Sequence, residues 1–166
     1  MYLGLSLDEI LSLKYEDIDL DNNLININKT LSKDSSGNCI ISNLGINPRC
    51  VPIPPFIKDL LLQQKELSKN NENNLLFTFE ADNDIINYKL YELLKECGIK
   101  SVCNQELRNT YVRRLAEIGV FPAMIDKWLG IESNNPILKM AQSQLNKWEN
   151  NEISKVNQYY KNNNFF

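Results

Sequence analysis

The sequence predicts an α+β fold, mainly α, in which helices pack with a small three-stranded antiparallel sheet. Three observations lead there. Short strand-like runs cluster between residues 18 and 53. Segments with apolar residues at helical spacing lie on both sides of that cluster. No internal repeat or linker divides the 166 residues, which is the length of one compact domain. A chain of this size buries roughly two-thirds of its unfolded surface. We place the domain at 1–150 and a C-terminal tail at 151–166.

Ser6 and Glu9 have the spacing of a capping box, with Ile10, Leu11 and Leu13 following, so a helix starts at about Ser6. An Asp-Asn-Asn turn then precedes an alternating run. Ile25 and Ile27 share one face, with Asn26 and Asn28 on the other, and Leu24 falls on the asparagine side. Residues 33–38 form a turn-rich tip. Cys39–Ile41 and Arg49–Ile53 read as two further strands, completing the sheet that helices must cover on one side. Pro54-Pro55 ends the last strand and opens a helix from about Phe56 to Ser68. An Asn-rich loop, 69–74, leads towards a helix from about Asn83 to Cys97. Its apolar side holds Ile85, Tyr88, Leu90, Leu93 and Leu94.

Asn104–Gly119 is the most regular element. Leu107, Tyr111, Leu115 and Ile118 recur at i, i+4, i+8 and i+11, on one helical face. Asn104 is its expected N-cap, and Gly119 suits the left-handed position after the last turn. Arg108 borders the apolar stripe, as a surface charge or as a cation held over a cleft. A short helix follows at about Pro122–Leu129 and a longer one at about Pro136–Asn150. The tail carries Tyr159, Tyr160, Phe165 and Phe166 among asparagines.

Composition narrows the chemistry. An apolar fraction of 43% and a charged fraction of 23% are ordinary for a soluble globular domain. Apolar runs are too short to span a membrane. There is no histidine, so the commonest general base and proton shuttle is missing. Cys39, Cys50, Cys97 and Cys103 form no C-x-x-C pair. Free thiols in a reducing cytoplasm are expected, with no metal, no cofactor and no small-molecule ligand. The net charge of −3 argues against avid nucleic-acid binding. Positive character gathers late: residues 105–166 hold eight bases against six acids.

Four boxes in order carry a resemblance. Gly4-Leu-Ser-Leu-Asp-Glu-Ile-Leu-Ser-Leu-Lys-Tyr-Glu-Asp-Ile-Asp19 resembles the first box of the tyrosine recombinases, or phage-integrase family, G-L-R-x-x-E-L-x-x-L-x-x-x-D-I-D. Arg49-Cys-Val-Pro-Ile-Pro54 is similar to the family strand R-x-V/I-P-I-P. Gln105-Glu-Leu-Arg-Asn-Thr-Tyr-Val-Arg-Arg-Leu115 is similar to the H-x-L-R-H-T box. Leu129-Gly-Ile131 stands at the L-G-H position. The resemblance implies the family's catalytic-domain fold. It also implies the family's chemistry, in which a tyrosine attacks a DNA phosphate. Two arginines stabilise the charge, and a lysine and histidines move protons.

Carried over by position, most of that set is absent. Ser6 stands for the first arginine, Asn43 for the lysine, Gln105 for the first histidine and Ile131 for the second. Met140 stands near the nucleophile's place, and Arg108 alone is kept. The resemblance therefore implies a degenerate domain, with Arg113 and Arg114 as further phosphate contacts and DNA binding weak or lost. The first box begins three residues after Met1, which implies that the family's earlier helices and DNA clamp are missing, either as in a truncated remnant of a mobile element or as in a short protein retained for another role. The tail at Tyr159–Phe166 is a candidate surface for docking an intact recombinase subunit. The active alternative uses Tyr159 or Tyr160 as a displaced nucleophile. Tyr111, on the apolar face, reads as core.

Overall fold

The computed structural model describes the backbone of residues 2–43, 48–68, 74–77, 83–131 and 136–163, and their side chains except at 83–84 and 136–147. The elements follow in order as α1 (Leu7–Ser12), a 3-10 turn (Tyr15–Asp17), β1 (Ile18–Asp19), β2 (Leu24–Ile27), β3 (Lys29–Lys33), β4 (Cys39–Asn43), β5 (Arg49–Pro52), α2 (Pro55–Leu67), α3 (Asn83–Glu96), α4 (Asn104–Ile118), α5 (Pro122–Leu129) and α6 (Pro136–Asn162). The mainly helical α+β class and the antiparallel three-stranded sheet are as expected.

The sheet's membership differs from the sequence reading. Its order is β1-β2-β5, with Ile25 opposite both Ile18 and Val51. The Cys39–Ile41 run does not join it. That run lies in β4, which pairs with β3 as a separate hairpin. Chemistry at the two turns explains the division. The Asp19 carboxylate accepts the amides of Asp21 and Asn22, and Asn23 takes the left-handed conformation at φ 55°, so β1 folds straight back onto β2. The Asp34 carboxylate accepts the amides of Ser36 and Asn38 at 2.8 Å each and closes the second hairpin on itself. Ile25, Ile27, Val51 and Ile53 then face the core from the sheet, while Ile40 and Ile41 stay exposed on the hairpin.

Two apolar clusters form the core. One joins the sheet to Leu5, Leu13, Leu61 and Leu76. The other packs α4, α5 and α6 around Trp128, Met124, Tyr111 and Leu115. The α4 face is therefore as its periodicity predicts, and Gly119 takes the left-handed cap, at φ 79°. The N-cap is Cys103, not Asn104. Cys103 donates its amide back to the Glu106 carboxylate at 2.8 Å, and the Asn104 side chain instead binds Asn87 of α3. On α3 the apolar side lies one position round from the expected one. Leu90 and Leu94 are half-buried, but Ile85, Tyr88 and Leu93 are exposed, and the inward positions recur as Ile86, Leu90 and Leu94.

The boundary expected at residue 150 falls inside α6, which continues to Asn162. Glu152, Val156 and Tyr160 recur every four residues on its buried side. Tyr160 stacks edgewise on Phe56 and Tyr2, at centroid distances of 5.2 and 5.9 Å. Glu152 accepts the Phe121 amide at the start of α5. Glu149 takes the Lys127 ammonium and the Trp128 indole near its end. One helix thus holds both ends of α5. Among the described residues no helix is long and apolar enough to cross a membrane.

Packing of this depth makes Tyr160 an anchor. Tyr160→Ala is expected to cost about 3–5 kcal/mol, as for other large aromatic truncations, and Tyr160→Phe much less. Urea denaturation of the two variants decides this; similar small losses for both would contradict the anchoring role.

Candidate anion site

The site grows from the capping of α1. The Ser6 hydroxyl accepts the Glu9 amide at 3.2 Å, and the Glu9 carboxylate accepts the Ser6 amide at 2.8 Å. This closes the predicted capping box and turns Glu9 inward, where it is buried. A buried carboxylate needs a partner. Arg49, at the start of β5, supplies it in a forked pair, Nη1 to Oε1 at 2.7 Å and Nη2 to Oε2 at 2.9 Å. Arg108 reaches the same carboxylate from α4, with Nη1 at 3.8 Å from Oε2.

Both arginines also cap α5. The last carbonyls of a helix lack partners inside it and carry the negative end of its dipole. Arg49 Nε donates to the Trp128 carbonyl at 2.7 Å and Arg108 Nη2 to that of Leu129 at 2.6 Å. Gly130 follows at φ 69°, a left-handed turn. A side chain there would also meet Arg49, because a Cβ would lie 2.8 Å from Nη1. That close approach and the turn both require glycine at this position.

Charge and burial oppose each other at Glu9. Burial pushes its pKa up, but the Arg49 hydrogen bonds, the Ser6 amide and the charges of Arg49 and Arg108 outweigh that and hold it below the usual value. Burial lowers the pKa of Arg108, against the pull of Glu9. Arg108 remains a cation, since arginine does not deprotonate in proteins. Its side chain is 19% exposed, against 4% for Arg49.

The structure brings some of the sequence-predicted positions together. Ser6 and Arg108 meet through Glu9, and Ile131 follows the glycine turn that Arg108 caps, itself half exposed. Gln105 lies one turn before Arg108, exposed and bonded to Asn109. Asn43 ends β4, exposed. The side chain of Met140 lies outside the described residues. Arg113 is exposed, whereas Arg114 sits over the Tyr2 ring at 5.1 Å, with the Tyr160 hydroxyl beside it. Arg114, half-buried, thus packs within the aromatic cluster. Tyr160 is buried, which raises its pKa despite Arg114, and Tyr159 is half-buried against it. Burial at Tyr111 confirms it as core and pushes its hydroxyl pKa well up. All four cysteines are free thiols.

No family model matches the chain. Over 131 residues it is 28% identical to the tyrosine recombinase XerD-like proteins of two strains of Streptococcus thermophilus, a match covering 79% of this chain and 45% of theirs. The integrase of transposon Tn1549, solved in complex with transposon right end DNA, superposes with a TM-score of 0.68 at 19% identity, over 87% of this chain and 50% of that one. XerA recombinase gives 0.64 at 22% identity, over 86% and 54%. The chain is thus similar to tyrosine recombinases in sequence and has the fold that the matched integrase and recombinase structures share. It spans about half the length of the curated recombinases it matches. In this fold the first, second and third boxes meet at Glu9, which the sequence marks as a helix cap and as part of the first box but not as the partner of the arginines. Arg49 was likewise only part of a strand motif.

Removing one partner of a buried pair strands the other charge, at a cost of about 3–5 kcal/mol. Glu9→Gln is expected to lose that much at neutral pH. Because the folded pKa of Glu9 lies below its unfolded value of 4.5, its contribution is full above that pH and fades as pH falls through the folded pKa. Melting curves from pH 7 to pH 3 should therefore show the gap between wild type and Glu9→Gln narrowing once the pH falls below 4.5. A constant difference would refute the assignment.

Proposed function

We propose that the chain is an integrase-like DNA-recombination protein that does not cleave DNA and that keeps one cation of the family's catalytic set, Arg108, as a phosphate contact beside the exposed Arg113. The observation that carries this reading is the occupation of the site. Arg49 does not replace the first arginine missing at Ser6, because its side chain is only 4% exposed and its fork is closed on Glu9. Ser6 is committed to its cap, and Ile131 can neither donate nor accept. Each lost charge-stabilising donor costs about a hundred- to a thousandfold in rate. Gln105 can donate to a phosphate but cannot shuttle a proton.

The alternative of an active tail tyrosine is opposed by the packing. Tyr160 faces Arg114, six residues beyond Arg108 and so about 9 Å further along α4. Burial raises the Tyr160 pKa, the wrong direction for a nucleophile. The same packing disfavours docking through the tail, since Tyr160 is already engaged within its own chain. Two cations with one carboxylate between them leave a net positive charge at Arg108, and Arg113 is exposed on the same helix. These features favour weak DNA contact over subunit contact.

Two phosphate contacts predict a log–log salt slope near −1.8. DNA affinity in a gel-shift titration should then fall about tenfold between 50 and 200 mM salt. Arg113→Ala should flatten the slope by about 0.9. Absence of a salt-sensitive complex would remove the DNA-contact reading. Incubation with nicked DNA should leave no denaturant-stable adduct. An adduct that Tyr159→Phe or Tyr160→Phe abolishes would restore the active alternative.

A further inference from the structure

The β3–β4 hairpin leaves one strand edge without a partner. Its register runs unbroken from Lys29 opposite Asn43 to Lys33 opposite Cys39. β3 lies beside α1, and among the described residues no strand pairs with the other edge of β4. Native proteins blunt such edges with a lysine, a proline or a bulge. β4 is Cys39-Ile-Ile-Ser-Asn43 and has none of these. Ile40 and Ile41 on it are 44% and 39% exposed.

The hairpin turn fixes which backbone groups face outward. The Asp34 amide donates to the Asn38 carbonyl at 2.9 Å. Hydrogen-bonded and non-hydrogen-bonded pairs alternate along an antiparallel ladder. The next hydrogen-bonded pairs in this register are therefore Ser32 with Ile40 and Thr30 with Ser42. Cys39, Ile41 and Asn43 turn their amides and carbonyls away from β3, to the free edge. These positions are symmetric about Ile41.

We propose that β4 pairs antiparallel with β4 of a second copy of this chain, about a two-fold axis at Ile41. Ile41 then exchanges backbone hydrogen bonds with its equivalent, and Cys39 with Asn43 at each end, so every outward amide and carbonyl of these residues finds a partner. Leu31 lies opposite Ile41 within the hairpin. The same register therefore lines up Leu31, Ile41 and their equivalents as one apolar row across both hairpins. Charge does not oppose the pairing. β4 carries none, and Lys29 is paired with Asp17 and Glu16. Lys33 of one copy stands three strand spacings, about 14 Å, from Lys29 of the other, beyond the screening length in physiological salt. A second copy fits this edge better than an unrelated extended segment, because the outward groups and the apolar row share one centre of symmetry. Pairing uses up both free edges, so the assembly closes at the dimer. The inference does not depend on any contact with DNA, and its test contains none.

Sedimentation equilibrium of the full chain over a concentration series is expected to show monomer and dimer and nothing larger. Ile41→Pro removes an outward amide that the hairpin itself does not use, so it should weaken dimerisation about tenfold or more while the circular-dichroism melt stays that of wild type. Ile41→Lys sets like charges directly opposite each other and should weaken it as much; it decides the matter if the proline variant does not fold. Cross-linking reads the register. Asn43→Cys places a thiol opposite Cys39 of the other copy, with Cα atoms about 5.5 Å apart, within disulfide reach. Mild oxidation should give a covalent dimer that peptide mapping shows to be joined through Cys39. Ser42→Cys, on the opposite face of the strand, should not form that bond. A monomer at every concentration would overturn the proposal, and so would a dimer indifferent to Ile41→Lys. A dimer that a folded Ile41→Pro variant retains would mean packing without strand pairing and would overturn it too. Equal cross-linking of Cys39 in both thiol variants, or assemblies that grow beyond two copies, would do the same.

Discussion

One buried carboxylate organises this protein. Glu9 is turned inward by the capping box of a six-residue helix, and two arginines from distant elements converge on it. Without Glu9, Arg49 would be a buried cation beside another cation. Without the arginines, Glu9 would be an unpaired buried anion. Each group makes the others tolerable, and the forked geometry of Arg49 fixes β5 against α1. The same guanidinium groups hold the C-terminal end of α5, so the sheet and the helical cluster are joined through charge-assisted hydrogen bonds as well as through apolar packing.

From this clamp the placement of α5 follows. Its C-terminal carbonyls are held by Arg49 and Arg108. Its N-terminal amide is held by Glu152 and its flank by Glu149, both on α6. One carboxylate, Glu152, meets the amide end and two guanidinium groups meet the carbonyl end, the arrangement a helix dipole favours. A helix of eight residues has little stability of its own; fixing both ends lets it carry Trp128 and Met124 at the centre of the core.

What the sequence revealed and what it hid differ by range. The Ser6–Glu9 box, the α4 stripe and the Gly119 cap all depend on residues a few positions apart, and all were legible. The Glu9–Arg49 pair spans 40 residues, and nothing in either local pattern marks one as the partner of the other. The two-residue strand β1 is too short to show alternation. The inward stripe of late α6 holds one glutamate, one valine and one tyrosine among asparagines, so its period stayed hidden and the region read as a tail. The glutamate is apolar in neither size nor charge; it is buried because a helix N-terminus needs an acceptor there. The fold was therefore legible where apolar period or capping spacing is strong. The site was legible only as positions within recombinase-like boxes.

That distinction bears on Arg108. Its survival beside Ser6, Gln105 and Ile131 needs no catalytic explanation, because Arg108 holds the Leu129 carbonyl and faces Glu9. Loss of either contact would leave a buried acceptor poorly paired, whatever the protein does with DNA. Ser6 has been settled by the same logic. Any residue but proline at position 6 can donate its amide to Glu9, but only a short side chain with an oxygen acceptor, such as serine, threonine, asparagine or aspartate, can also accept the Glu9 amide in return. An arginine there would give up that half of the box while adding a third cation to one carboxylate. The clamp thus keeps Arg108 and accommodates Ser6 for structural reasons alone, and the positive charge left at Arg108 is a by-product of building the fold around a single acid.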